Sequence, residues 1–413
     1  MLNNAIRYEN NTLYCDSVAV RDIVAKVGTP VYIYSLRRAL HNLERIRSAF
    51  QALRPHIHYS AKANANLAIL RVLVEAGAGI DTVSAGEIYK ALKAGARPES
   101  IVFAGVGKTA EEIAYAVEQG VGWFNVENIA ECALINDCAG AAGRPPVRIA
   151  LRLNPQVTAD THPYIATGHG GAKFGLTAEA ITHLLAHQED YPHLDFAGIH
   201  LHIGSQLHDT AATQQAVQAA LALIAPYPSI RTVNIGGGLP VAYSADEHIP
   251  DWSAFAATLK PLLRGYEVLL EPGRSIIADA GILVAKVLYI KKQAGQTFYI
   301  TDGSMAELIR PALYQAHHEI VPVNTLHPAE TEVKANIVGP VCETADVLGR
   351  DVSLPEMQSG DLLAALTAGA YGMVRASNYN ARPRPPEVVV MPNGEAWQVA
   401  RRRETWEDLI RLE

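Results

Sequence analysis

Residues 79–103 read GIDTVSAGEIYKALKAGARPESIVF, and within them the hydrophobic period changes twice. GIDTV is a short β-branched run; SAGEIYKALKAG (84–95) repeats its apolar residues at three and four and closes on Gly95; IVF opens a second β-branched run at 101. This spells strand, helix, strand. Runs of the same kind begin at 56 (HIHYSAKA), 79, 101, 123 (WFNVE) and 148 (RIALRLN), then at wider intervals at 196 (FAGIHLHIG), 232 (TVNIGGG) and 267 (EVLLEPG). TAEEIAYAVEQG (109–120) repeats the helical pattern and also closes on Gly. The first intervals, 23 and 22 residues, have the length of one strand, one helix and two short loops. Eight such units predict a closed (β/α)8 TIM-like barrel over about residues 36–280.

After 280 the pattern differs. AGILVAKVLYIKK, TFYITDG and PEVVVMPNGEAWQVARRR, the last with an Asn393-Gly394 turn signal, predict antiparallel strands. The expected fold class is thus α/β plus β: a barrel (36–280) and a β domain (281–413), completed by residues 1–35, where VYIY after Pro30 reads as a strand of either domain.

Composition limits the function classes. The 413 residues are 49% hydrophobic and 19% charged with a net charge of -7, a globular balance with no general affinity for polyanions, so nucleic acid is not an expected partner. Cys15, Cys132, Cys138 and Cys342 form no CxxC and no ligand spacing, which predicts neither a metal site nor a disulfide scaffold and suits a reducing cytoplasm. The first residues, MLNNAIRYENNTLYC, lack the apolar core of a secretory signal, and the apolar stretch Gly281 to Ile290 is short and broken by a lysine, so no membrane association is expected.

Chemistry-bearing residues fall at the carboxyl ends of the barrel runs, where such barrels gather their active sites. Lys62 follows the first; it reads either as an amine that condenses with a carbonyl cofactor or as a solvent-facing lysine. His200 and His202, two apart, share a strand face, a pattern open to ring packing, core structure or, less well without a third ligand, metal binding. Ser205 lies just beyond. Gly236, Gly237 and Gly238 are able to wrap backbone N–H groups around a phosphate or simply to turn tightly. In Glu271-Pro272-Gly273-Arg274, Pro and Gly force a turn; its charges either pair with each other or hold, respectively, a pyridine nitrogen and an anion.

With these residues the chain resembles the fold-type III pyridoxal-phosphate decarboxylases (the ornithine/diaminopimelate/arginine decarboxylases), through YSAKANAN, HPYIATG, KFGL, HLHIGSQ, GGG, EPGR, IRPALYQAHHEI, CETADVLG, GAYG and SNYN in order. The resemblance implies an alanine racemase-like fold, pyridoxal 5'-phosphate as cofactor, and decarboxylation of meso-2,6-diaminoheptanedioate to L-lysine; enzymes acting on D-lysine, D-ornithine or carboxynorspermidine share the architecture. It implies Lys62 as the Schiff-base lysine, His202 as the ring-stacking residue, Ser205 and Gly236 to Gly238 as phosphate contacts, Glu271 as partner of the ring nitrogen and Tyr371 as a contact to phosphate and substrate. Arg274, Arg310 and Tyr314 would hold substrate carboxylates, Cys342 would return a proton to carbon, and Glu343 would recognise the distal amine, the last two in the partner's site of a homodimer. Cys342 read alone is equally a structural thiol. The chain departs from the family's usual residues at Thr344 and Ala345, at Ser304, Ala306 and Glu307, and at Asn234 and Pro240.

Overall fold

The computed structural model describes residues 1–157, 168, 171–325 and 332–413. The chain divides into two compact units, one of residues 43–241 and 248–275, the other of 1–42, 242–247 and 276–413.

The first unit is a closed, all-parallel barrel of eight strands: β1 (His56–Ser60), β2 (Gly79–Thr82), β3 (Ile101–Phe103), β4 (Trp123–Val126), β5 (Val147–Leu153), β6 (Leu194–Leu201), β7 (Thr232–Asn234) and β8 (Glu267–Leu270). β8 closes on β1 through Leu269 opposite His56 and Leu270 opposite Ile57. The eight runs read from the sequence are these eight strands. Each early helix starts at a residue able to cap it. Asn66, Ser84, Thr109 and Asn128 each accept a backbone N–H of the first turn, and Thr109 with Glu112 completes a capping box. The helix Ala110–Gln119 ends at Gly120, whose φ of 74° only glycine adopts without strain.

The barrel interior is layered by the two-residue period of its strands. Val102, Trp123, Ala150, Ala197 and Leu269 form one apolar cluster. Gly198 belongs beside it, because a Cβ there would lie 3.1 Å from the Trp123 ring and 3.2 Å from the Ala150 Cβ. Two residues further toward the carboxyl ends come Asn125, Arg152, His200 and, just past β8, Glu271, all buried. The barrel thus changes from apolar to polar over one step toward the carboxyl ends of its strands.

The second unit is built on a sheet in the order 347–355, 332–338, 296–301, 281–293, 31–35, 387–390, 397–401, with 362–365 also pairing 281–293 and carrying 320–322. Alternate residues Val31, Ile33, Ile282, Val284, Ala364, Leu366, Val388 and Val390 put one face into its core. The hairpin at Asn393-Gly394 joins 387–390 to 397–401. Two pairings differ from the all-antiparallel expectation: 31–35 with 387–390 and 296–301 with 332–338 are parallel. Parallel neighbours need long connections, and both pairs are far apart in sequence.

Candidate active site

At the carboxyl rim of the barrel Glu271 is 6% exposed and held on both oxygens. Oε1 accepts from Asn125 Nδ2 at 2.9 Å and Asn234 Nδ2 at 2.6 Å, and Oε2 lies 3.1 Å from His200 Nε2. Burial alone would push this carboxyl up. His200, Lys62 and the Asn234 amide outweigh burial and hold the group well below the usual carboxylate range. An ionised carboxylate is therefore fixed inside the barrel mouth.

Lys62 lies in the turn Ala61–Ala63 just past β1, with its side chain 40% exposed, so it is not the buried ammonium a strand position would make it. Nζ is 3.7 Å from Asp81 Oδ2, which also accepts from Ser60 Oγ at 2.5 Å. Burial and the Glu271 charge push the Asp81 carboxyl up to about 7, against the pull of Lys62 and Ser60. Lys62 acts electrostatically on Glu271, Asp81 and His202.

His202 follows β6. Burial, then the charges of Lys62 and Arg152, push its imidazole well below its ordinary pKa, so the ring is neutral. Its Nδ1 accepts from Gly237 N at 3.3 Å, and Arg152, paired with Glu127 at 2.5 Å, reaches the His202 carbonyl at 3.4 Å. Gly236 and Gly238 have φ of 68° and 89°, and a Cβ on Gly237 would sit 2.4 Å from the Glu271 carbonyl oxygen. The glycine run is therefore required twice, by its left-handed backbone and by its packing against the Glu271 turn. A Cβ on Gly273 would lie 3.0 Å from Ser60 and Ala63, so the turn after β8 packs against the one that carries Lys62. Arg274 donates to Ser205 Oγ from Nε at 3.3 Å and from an Nη at 3.2 Å.

In the second unit Arg310 is 7% exposed and Tyr314 half-buried on the short helix Arg310–Tyr314. Tyr314 Oη accepts from Arg375 at 2.6 Å. Cys342 and Glu343 are exposed; the Cys342 N–H donates to Asn380 Oδ1 at 3.0 Å, and the Glu343 side chain bonds Tyr379. Tyr371 is half-buried with a φ of 57°. Of the sequence motifs, HPYIATG (162–168) lies, Gly168 apart, outside the described residues. Two departures compensate each other: Ser304 Oγ donates to Glu307 Oε2 at 2.6 Å, giving the buried carboxylate a partner.

The sequence reading missed Asp81, Asn125 and Arg152. Each is a polar residue buried within a barrel strand, and polarity inside a run read as buried was the available signal, because an unpaired polar group there is costly. Among the described residues no three His, Cys, Asp or Glu side chains group to hold a metal, and no helix is long and apolar enough to cross a membrane.

The donor set fits one kind of molecule, an anionic ring compound with a carbonyl: a glycine run of left-handed backbone, a neutral imidazole beside it, an accessible amine and an ionised carboxylate of the kind that favours a protonated ring nitrogen. These define a pyridoxal-phosphate barrel enzyme. The family described as "Pyridoxal-dependent decarboxylase, pyridoxal binding domain" matches residues 36–278. Diaminopimelate decarboxylase of Aquifex aeolicus is 40% identical over 99% of this chain and 97% of its own, and that of Vibrio cholerae 42% identical over 98% and 97%. The crystal structure of diaminopimelate decarboxylase from Helicobacter pylori complexed with L-lysine superposes with a TM-score of 0.89 at 37% identity, covering 95% of this chain and 98% of that one. The chain belongs to the diaminopimelate decarboxylase family, and its cofactor is pyridoxal phosphate.

Proposed function

We propose that the protein removes the carboxylate from the D-configured centre of meso-2,6-diaminopimelate, giving L-lysine and carbon dioxide. The observation that carries this reading is the Glu271 carboxylate, held inside the barrel mouth by Asn125, Asn234 and His200 and kept ionised against burial by His200, Lys62 and Asn234. A racemase of the same fold would be expected to pair the ring nitrogen with arginine instead.

Lys62 would hold the cofactor, His202 would pack on its ring, and Ser205, Gly236, Gly237, Gly238, Gly273, Arg274 and Tyr371 would receive its phosphate, with Pro272 fixing the turn between Glu271 and Gly273. When bound, the cofactor supplies an electron sink for the pair of electrons left when carbon dioxide departs. Glu271 keeps a proton at the ring nitrogen. Lys62 exchanges a proton with the substrate amine, and Asp81, 3.7 Å from its Nζ, is placed to balance that charge. Arg274, Arg310 and Tyr314 would grip carboxylates and Glu343 the distal amine, so that only one carboxylate is left to break away. Cys342 then returns a proton to the α-carbon.

Cys342 and Glu343 would do this across a homodimer interface, each site being shared between two subunits, in a cytoplasmic enzyme whose cofactor domain spans about 36–280 and whose β domain spans 281–413 with residues 1–35. The test is turnover. Purified enzyme should release carbon dioxide from meso-diaminopimelate in preference to D-lysine and D-ornithine, and borohydride should fix the cofactor to Lys62. Preference for a D-monocarboxylic amino acid, or label on another lysine, would reject the reading.

A further inference from the structure

Arg310, His318 and Tyr243 form one buried cluster in the second unit, 7%, 3% and 6% exposed. His318 Nδ1 is 2.9 Å from the Leu366 carbonyl oxygen, and Nε2 is 2.7 Å from Arg310 Nη1. A carbonyl only accepts, so Nδ1 carries the proton; a guanidinium only donates, so Nε2 offers its lone pair. Both bonds require the same neutral tautomer. The Arg310 Cζ lies 4.3 Å from the centre of the Tyr243 ring, and that ring stands edge to face with His318 at 5.4 Å and 85°. The guanidinium is thus held along one N–H and also by contact with an aromatic ring.

We infer that His318 and Tyr243 are positioning residues that preset the Arg310 guanidinium for the substrate's distal carboxylate and so set the preference for a dicarboxylic substrate. The inference rests on Arg310 holding that carboxylate, as proposed above. Burial, then the Arg310 charge, push the His318 imidazole well below its ordinary pKa, in keeping with a ring that stays neutral and accepting. An arginine fixed in advance loses less side-chain freedom on binding, and its planar fork meets a carboxylate through two bonds only when correctly turned.

The test uses three variants of the cofactor-loaded enzyme. His318→Leu removes both bonds, and His318→Asn keeps a donor near Nδ1 for Leu366 but falls short of Arg310. His318→Gln places an amide oxygen where Nε2 accepts. His318→Leu and His318→Asn should raise KM for meso-diaminopimelate on the order of 10- to 50-fold with kcat within ~3-fold, while kcat/KM for D-lysine, which lacks the distal carboxylate, moves less than ~3-fold. His318→Gln should recover KM to within ~3-fold of wild type. Calorimetry should show the same order for L-lysine binding, a readout independent of turnover. Equal losses for both substrates, or a Gln variant no better than Leu at matched melting temperature, would overturn the inference. A wild-type enzyme with no preference for meso-diaminopimelate over D-lysine would sink the reading of Arg310 and this inference with it.

Discussion

Replacing Glu271 with glutamine separates its electrostatic role from its structural one. Glutamine has the same shape, and Oε1 would still accept from Asn125 and Asn234, now 2.9 and 2.6 Å from it. Its Nε2 would face His200 Nε2, which accepts when the imidazole proton sits on Nδ1. Three charge-assisted bonds become neutral ones, a loss of roughly 1 kcal/mol each. Removing a buried charge offsets much of that, because desolvation of an ion costs several kcal/mol. The expected net change in stability is within about 2 kcal/mol.

The rate should change far more. Two unit charges one hydrogen-bond length apart, about 3 Å, attract by roughly 5 kcal/mol at an effective dielectric near 20. If half of that favours the protonated ring nitrogen, its loss slows decarboxylation by about 100-fold. Glu271→Gln should therefore bind cofactor, melt near wild type and release carbon dioxide at about one hundredth of the rate. Glu271→Leu should melt lower, since it strands the Asn125 and Asn234 donors at about 1–3 kcal/mol each. The acid limb of stability gives a second check. The folded Glu271 pKa is depressed, so its contribution is present above the unfolded value near 4.3 and lost as pH falls; Glu271→Gln should flatten that limb. A Gln variant with full cofactor and a rate within about fivefold of wild type would refute the assigned role of the charge.

Gly236→Ala, at a φ of 68° and with its Cβ 2.5 Å from the Leu201 carbonyl oxygen, should cost about 1–3 kcal/mol in stability and weaken cofactor binding at least ~10-fold, read by equilibrium titration. Asp81 is raised to about 7, so in cofactor-free protein its contribution is fully present below about 4 and lost as pH rises through 7; urea unfolding from pH 4.5 to 8 should show that slope, and Asp81→Asn should remove it. Mixing Lys62→Ala with Cys342→Ala under subunit exchange should restore about one quarter of wild-type sites, because a two-fold heterodimer has one doubly damaged site and one intact. If exchange is demonstrated and activity does not rise, the shared site is wrong.

The barrel was legible because its strands and helices have different periods, and because Gly95 and Gly120 close the helical stretches. The rim residues Lys62, His202, Gly236 and Glu271 were legible because they close β-branched runs. Asp81 and Asn125 were not: each lies inside its run, and only the register of the closed barrel brings Asp81 beside Ser60 and Asn125 to Glu271. Tyr243 and Arg310 are separated in sequence by a whole βα unit and more, and no local pattern announces a ring beneath a guanidinium. The parallel pairings of the second sheet were hidden for the same reason, since run composition carries strand identity but not partner or direction.

Asn234 shows how a departure from the family's usual acidic residue acquires meaning only in three dimensions. Its Oδ1 accepts from the Gly236 N–H at 2.9 Å, so the amide has one orientation, and its Nδ2 must then face Glu271, at 2.6 Å. An aspartate in that orientation would set two buried carboxylates against each other, and one of them would have to take up a proton. The asparagine instead donates, which keeps Glu271 ionised without a shared proton. It also ties Gly236, the first glycine proposed to receive the phosphate, to Glu271, the carboxylate proposed to face the ring nitrogen. The two ends of the proposed cofactor site are thereby braced through one side chain, and a substitution at Asn234 should disturb both phosphate affinity and ring protonation where one at Ser205 should disturb only the first.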